Sequence, residues 1–592
     1  MRRRTGIALA VAAACAPALA SADAALAAEQ QAYAAGLNYV TPVVVASQGD
    51  TVRFNNLDPL GGHDIKSSTP GLFASPVIGG GQSAVVTGVD RLAPGTYQFY
   101  CSIHPWMTGA IQVTNKGVVP PPPPVPNPNP NDPPDPVDLM PHAAPAPLTG
   151  GDWPLYGHDL ANSRDGGASG PSYNEVPFLK PVWSVKSTNG DFTGTPVESG
   201  GIVVAVSGGG SVFAVDASTG RRRWTTDVTT SPGETVNATA AIAGGEVFVP
   251  ISRKDGPEVA ALSAADGSLL WKVPYDGPLA GYDGKNGRPD QSGADTFGSP
   301  VVWDGRVYIG TSGQNGDPVQ PVRGAVTALD ATTGAQLFKT FIVPPGDNGG
   351  PVWSTPAIDT ARGILYAGTG NAYSGTAADT TDSVVAIDAR TGALLRHHQA
   401  TAGDIFSTSG TGGTTGPDYD FGASPQLITG TGGRALVGDG QKSGTYWALD
   451  RTTLAPVWSF ATGPGSVVGG IIGSTAYDGM RVYGPDTPGG ESWALNATGN
   501  LAGKPAWVSS DGGPLHWNAT TVANGVVYTA DMNGTLTARQ AGTGAVLAKV
   551  PLGGLSYGGV SVAGGYVFAE TGTQGATGYI VGYRADTEVA PG

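Results

Sequence analysis

The 592-residue chain has two cysteines, Cys15 and Cys101, and only 13% charged residues. Cys15 falls in an N-terminal segment read below as removable, so Cys101 is left without a disulfide partner and no disulfide framework holds the chain. No Cys-x-x-Cys-His occurs, which excludes covalently attached haem. Lys and Arg number 32 against 47 Asp and Glu, for a net charge of −15 and a pI near 4.8. With no basic stripe to offset that balance, nucleic acid is excluded as a partner. Beyond the N-terminus no apolar run approaches the ~20 residues of a transmembrane helix. What is abundant is Gly (92) and Pro (49), a mixture that disfavours long helices and suits short strands joined by tight turns. The length also exceeds what one ordinary core supports, so at least two domains are expected.

Residues 1–27 read as an export signal: Arg2-Arg-Arg4, an apolar run from Ile7 to Ala20, then small residues with cleavage after Ala20 or Ala27. Lipid attachment at Cys15 is the alternative, although the Leu usual before such a cysteine is missing. From Pro120 to Pro147, 14 of 28 residues are proline. This segment, 117–150 with its flanks, cannot bury a core and reads as a semi-stiff spacer that holds two halves at high local concentration.

Ahead of the spacer, His63 in Gly-Gly-His-Asp precedes Cys101-Ser-Ile-His104-Pro-Trp-Met107. One thiolate, two imidazoles and one thioether form a soft set that suits copper cycling between Cu(I) and Cu(II) better than structural zinc. With Gly49-Asp-Thr-Val-Arg-Phe and Tyr97-Gln-Phe-Tyr before the cysteine, residues 28–116 resemble a cupredoxin of the plastocyanin/amicyanin group. The resemblance implies a Greek-key β-sandwich and a type 1 copper centre for single-electron transfer. His63, Cys101 and His104 would be its strong ligands and Met107 the weak axial one.

After the spacer a pattern recurs: apolar-x-Ala-apolar-Asp-x-x-Thr-Gly-x-x-x-Trp, first as Val212 to Trp224. It returns at Val259–Trp271, Val326–Phe338, Val384–Arg396, Tyr446–Trp458, Ser492–Trp507, Leu536–Ala548 and Ile580–Thr587. Eight strand–turn–strand units of this period predict an eight-bladed β-propeller over 151–590, with most of the Trp residues packed between blades. The chain is therefore expected to be all-β. Steps between equivalent positions are 67, 58 and 62 residues in the middle repeats but 46, 44 and 44 in the last ones. The middle loops are the longer ones, and long loops on a rigid scaffold tend to carry sites.

Those loops hold Pro351-Val-Trp353-Ser-Thr-Pro, Leu365-Tyr-Ala-Gly-Thr-Gly-Asn371, Asp418-Tyr-Asp420-Phe-Gly-Ala-Ser-Pro425 and Gly440-Gln-Lys442. With the opening Asp152-Trp-Pro-Leu-Tyr-Gly-His-Asp and Arg164, they resemble the quinoprotein alcohol dehydrogenases that use pyrroloquinoline quinone, the polyvinyl-alcohol dehydrogenases in particular. By that resemblance Trp353 would stack on the quinone and Asn371 would coordinate Ca²⁺, with Asp420 as a second candidate calcium ligand. Asp420 would also be the general base, with Asp418 as the alternative, and Lys442 would donate to the quinone oxygens. A carboxylate that takes the hydroxyl proton, and cations beside the quinone oxygen, suit alcohol oxidation. The chain departs from the family at three points: Gln314 replaces a frequent Glu ligand, Gly473 replaces a Trp, and no vicinal disulfide is present.

The leading reading is an exported quinoprotein that oxidises an alcohol and passes electrons to its own copper domain, then to a downstream redox acceptor. The rivals are a non-catalytic propeller scaffold that carries an electron-transfer cupredoxin domain, and a copper-binding protein whose propeller docks a partner.

Overall fold

The computed structural model describes residues 28–585 except 36–37, 40–42, 57–61, 105–106, 116–142, 145, 147, 149, 188, 232, 254–255, 277–293, 314–321, 408–414, 468, 488–489, 511–514 and 573–577. Residues 1–27 with Cys15, nearly all of the proline-rich spacer, and Gln314 lie outside the described residues. The rest is β-structure with four single-turn 3₁₀ segments. No described helix is long and apolar enough to cross a membrane.

The N-terminal part contains two four-stranded sheets. In one, Asn38–Tyr39, Glu29–Ala35, Thr51–Asn56 and Ser83–Val86 lie in that order; in the other, Val43–Ser47, Thr108–Thr114, Gly95–Tyr100 and Lys66–Ser67. Residues of Thr51–Asn56 alternate between half-buried and buried, the period of a strand with one face in a core. Val52 and Phe54 of that strand share one core with Phe99, Ile111 and Val113 of the other sheet. Cys101 and Met107 belong to the same core.

From Val197 on, the sheets follow one another along the chain, seven of four strands and one of five among the described residues. The last borrows its outermost strand from the beginning: Leu179–Lys186 pairs with Tyr579–Ala585. The innermost strands meet their neighbours in turn, and Val197–Ser199 meets Ser561–Ala563. The ring is closed, and the fold is a β-propeller.

The repeated motif now has a physical account. Asp216 accepts the backbone N–H groups of Ser218 and Thr219, and Gly220 takes φ +66° to complete the turn. The Trp183 ring packs where a Gly220 side chain would stand and donates its Nε1–H to Ala217 O at 3.0 Å. Trp224, Trp271 and Trp507 repeat the contact on the turns that follow them, donating to Ala264, Ala331 and Ala541. The Asp shapes the turn, the Gly opens room, and the Trp of the preceding sheet fills it.

Two further devices hold the centre. Residues 153–166 run past the inner strands and pair with six of them. Trp153 pairs with Glu198, and the N–H groups of Ile242, Ile358, Leu427, Tyr477 and Val522 donate to Pro154, Leu160, Ala161, Ser163 and Arg164. Arg164 is fully buried and donates to Tyr156 O, Thr520 O, Thr521 Oγ1 and Val560 O. The second device is a belt of hydroxyls. Thr195 N–H donates to Thr239 Oγ1, Thr239 to Ser299, Ser299 to Thr355, Thr355 to Ser424 and Ser424 to Ser474, each at 2.8–3.1 Å.

Arg164→Met removes four donors from buried acceptors and is expected to cost at least about 3 kcal/mol, read as an earlier unfolding transition in urea. An unchanged transition would show that the segment is not a structural keystone. A second expectation concerns Glu570, whose carboxyl is 1% exposed and pushed up by burial from 4.5 to about 8. The folded state keeps this proton longer than the unfolded chain, so its contribution is full below about pH 4.5 and lost as pH rises to about 8. Glu570→Gln is expected to lose less stability than wild type between about pH 5 and about pH 8 in denaturant melts. An identical loss in both would contradict the assignment.

Candidate functional site

The loops that precede the inner strands surround a cavity of about 430 Å³. Trp353, Asp418, Asp420 and Lys442, four of the five residues expected from sequence at the quinone site, line it together. They come from three separate connections, which the succession of sheets brings to one end of the ring.

Lys442 is the hub. Its Nζ donates to Asp418 Oδ1 at 2.8 Å and pairs with Asp420 Oδ2 at 3.2 Å, and it stands 5.6 Å from the centre of the Trp353 ring. Asp420 is further fixed by Trp353 Nε1–H on Oδ2 at 3.1 Å and by the backbone N–H of Asn371 on Oδ1 at 2.8 Å. Both carboxylates are 5% exposed and Lys442 9%. A buried ammonium between two carboxylates leaves one net negative charge in a low-dielectric wall, a setting that favours cations and proton acceptance.

Asn371 does not line the cavity. Its Nδ2 donates to Ala372 O and Phe406 O, while Oδ1 is buried with no partner in the protein. Asp382, which the sequence did not single out, is fully buried with both carboxylate oxygens unpartnered. Burial, then the charges of Asp420, Asp404 and Asp418, push its carboxyl well above the usual range, against Lys442. Gly473 lies close against a neighbouring loop: a Cβ there would lie 2.2 Å from Asn518 O. Apolar lining is supplied by Ile472, Val467 and the stacked pair Trp517 and Tyr557, whose rings are 6.0 Å apart.

This donor set fits a planar, oxygen-rich quinone. An aromatic face (Trp353) and an ammonium (Lys442) meet in one cavity, and Ser354 Oγ on its lining has no protein partner. Asn371 Oδ1, buried behind the lining with no protein partner, is an oxygen that could hold a cation. The sequence reading missed the lining hydroxyls Thr239, Ser299, Thr355, Ser424 and Ser474, which double as the belt. Their signal is a small residue followed by Ser or Thr shortly before an inner strand, as in Gly298-Ser-Pro and Ala423-Ser-Pro.

In the N-terminal part, His63, Cys101 and His104 come together. Their Nδ1, Sγ and Nδ1 atoms are separated by 3.7, 3.6 and 3.1 Å. A point about 2 Å from all three exists within that triangle, the length of a metal–imidazole bond. His63 is fully buried and His104 9% exposed. Met107 is buried beside them, its N–H on His104 O and its carbonyl accepting Cys101 N–H. Burial alone would raise the Cys101 thiol; hydrogen bonds from His104 and His63 and from the backbone of Asp64 and His104 outweigh it and bring the thiol down to about 6. A buried cysteine sulfur with two convergent imidazoles is the kind of donor set that could hold a soft metal.

Known proteins agree with the propeller fold. Residues 153–469 match the family described as PQQ: Glucose/ethanol/alcohol dehydrogenase, beta-propeller domain. Polyvinylalcohol dehydrogenase of Pseudomonas sp is 28% identical over 487 residues, covering 72% of this chain and 73% of that protein. The polyvinylalcohol dehydrogenase of Sphingopyxis sp. (strain 113P3) is 27% identical over 505 residues, covering 73% and 75%. Among solved structures, quinohemoprotein alcohol dehydrogenase from Comamonas testosteroni superposes with a TM-score of 0.61 at 22% identity, covering 74% of this chain and 81% of that one, a likeness of fold. With more than half of its length matched and the cavity built as described, the chain belongs to the PQQ-dependent glucose/ethanol/alcohol dehydrogenase propeller family and is an alcohol dehydrogenase-like oxidoreductase.

Proposed function

We propose that this protein is an exported quinoprotein that oxidises a secondary alcohol, polyvinyl alcohol or a related substrate, with its own type 1 copper centre as electron acceptor and a redox partner downstream. In this reading residues 1–27 are the signal peptide and 28–116 a cupredoxin domain. Residues 117–150 are the tether, and the eight sheets of 151–590 are eight blades. The scaffold alternative gives no reason for a buried Lys–carboxylate pair inside a cavity. The cupredoxin reading is supported by the two-sheet sandwich and the His63, Cys101 and His104 triangle.

Bound in the cavity, pyrroloquinoline quinone supplies the two-electron oxidant and a calcium ion beside it a Lewis acid. Everything else falls to side chains of the chain. Trp353 offers its half-buried ring as the platform. Asn371 Oδ1 and Asp420 are the oxygens for the cation. Asp420 Oδ2, held by Trp353 and Lys442, takes the alcohol's hydroxyl proton, and Lys442 offsets negative charge at the oxygens next to it. Trp517, Tyr557 and Ile472 give the carbon skeleton an apolar wall. The observation that carries this reading is Lys442 bridging Asp418 and Asp420 against Trp353 in a single cavity.

Asp420→Asn is expected to lower kcat for alcohol oxidation by about 10²–10⁴-fold while quinone still binds, as followed by the quinone's absorbance after gel filtration. Asp418→Asn, which weakens the contact with Lys442 and leaves Asp420 in place, is expected to cost less. Wild-type turnover in Asp420→Asn would remove Asp420 from the role of base.

A further inference from the structure

Asp404 stands behind the cavity lining and holds the connection that carries Asp418 and Asp420. It is fully buried. Its Oδ1 accepts the backbone N–H of Asp418 at 3.2 Å and its Oδ2 that of Tyr419 at 2.8 Å. Two successive N–H groups converge on one carboxylate because Asp418 takes φ +62°, a left-handed conformation that few residues with a side chain adopt. The same stretch of chain grips the Asn371 loop. Ala372 N–H donates to Asp404 O, Phe406 N–H to Ala372 O, and Asn371 Nδ2 to Phe406 O, at 3.2, 3.0 and 2.8 Å. Ile405 O accepts the N–H groups of Thr415 and Gly416 at 2.9 and 3.2 Å. Gly416 packs so closely that a Cβ there would lie 1.9 Å from Asp404 Oδ1. Residues 404–406 are thus bonded to both loops from which Asn371 and Asp420 reach the site. An amide in place of the carboxylate would offer one acceptor oxygen to two donors.

We infer that Asp404 is a positioning residue: by fixing the left-handed turn at Asp418 it sets where the Asp420 carboxylate stands against Lys442, Trp353 and the N–H of Asn371. The inference rests on the dehydrogenase reading above. Its effect on rate follows from geometry, since a base displaced by about 1 Å from its productive place loses on the order of 10²-fold.

The test measures alcohol oxidation by the full-length protein with pyrroloquinoline quinone and Ca²⁺. Asp404→Asn is expected to lower kcat by about 10–10²-fold, with KM for the alcohol within about twofold of wild type. Gly416→Ala, which crowds the same carboxylate and leaves its charge in place, is expected to lower kcat as well. The deciding comparison is made in the Asp420→Asn background. There Asp404→Asn should cost no further kcat, because a residue that acts through Asp420 has nothing left to position. A loss that multiplies onto that of Asp420→Asn would overturn the inference, as would wild-type kcat in Asp404→Asn. Should Asp404→Asn not fold, Gly416→Ala carries the same two comparisons. Hydrogen exchange in the quinone-free protein separates this inference from the reading it rests on. In Asp404→Asn one of the Asp418 and Tyr419 amides is expected to exchange faster than in wild type, and unchanged rates at both would overturn the tie itself. Wild-type protein that oxidises no alcohol, with that exchange difference present, would overturn the dehydrogenase reading and leave the tie standing.

Discussion

A short inner strand facing the centre of a ring must find partners for backbone groups that no neighbouring strand can reach, and the middle of this molecule is organised around that need. Residues 153–166 answer it from one side, donating and accepting along six inner strands, with the Arg164 guanidinium spent entirely on carbonyls and a hydroxyl. The hydroxyl belt answers it from the other. The hydroxyl of Tyr156, from the first device, donates to Ser474 Oγ, the end of the second. The cavity lies among these groups, so the hydroxyls that satisfy the backbone also give the cavity its polar lining. Fold and site share the same atoms.

Electrostatics sets the character of that lining. Lys442 is the one cation among the described residues that line the cavity, and it is committed to Asp418 and Asp420. Asp404 and Asp382 lie near enough to press on the same field, and burial with their neighbours' charges pushes both carboxyls up. Acid therefore exceeds base around Asp420, which suits a proton acceptor beside a cation. In the N-terminal part the balance is built differently. The His63, Cys101 and His104 side chains converge, and a single buried carboxyl, Asp64, ties their loops together.

Much of this was legible in the sequence where chemistry and spacing coincide. Cys101, His104 and Met107 lie within seven residues, and His63 was the one imidazole with matching flanks. The Asp-x-x-Thr-Gly…Trp repeat exposed the propeller because one turn and one Trp recur wherever sheet meets sheet. Trp353, Asp418, Asp420 and Lys442 could be named from their motifs, whereas their convergence on one cavity required the ring. What stayed hidden depends on contacts between distant strands. Tyr557 is 40 residues from Trp517, and nothing local announces their stacking. The belt hydroxyls looked like ordinary strand-entry Ser and Thr. Asp64 passed as the tail of Gly-Gly-His-Asp because its partner Ser102 is 38 residues away. Gly473 looked like a defect until Asn518 showed that no side chain fits there.

The central claim is that alcohol oxidised in the propeller reduces copper held by the same chain. The most direct measurement is visible absorbance of the full-length copper-loaded protein as pyrroloquinoline quinone, Ca²⁺ and a secondary alcohol are added in turn. The account predicts bleaching of the thiolate–copper band only when quinone and alcohol are both present, at a rate independent of protein concentration. A band that persists while the same protein oxidises the alcohol with an artificial acceptor would contradict it.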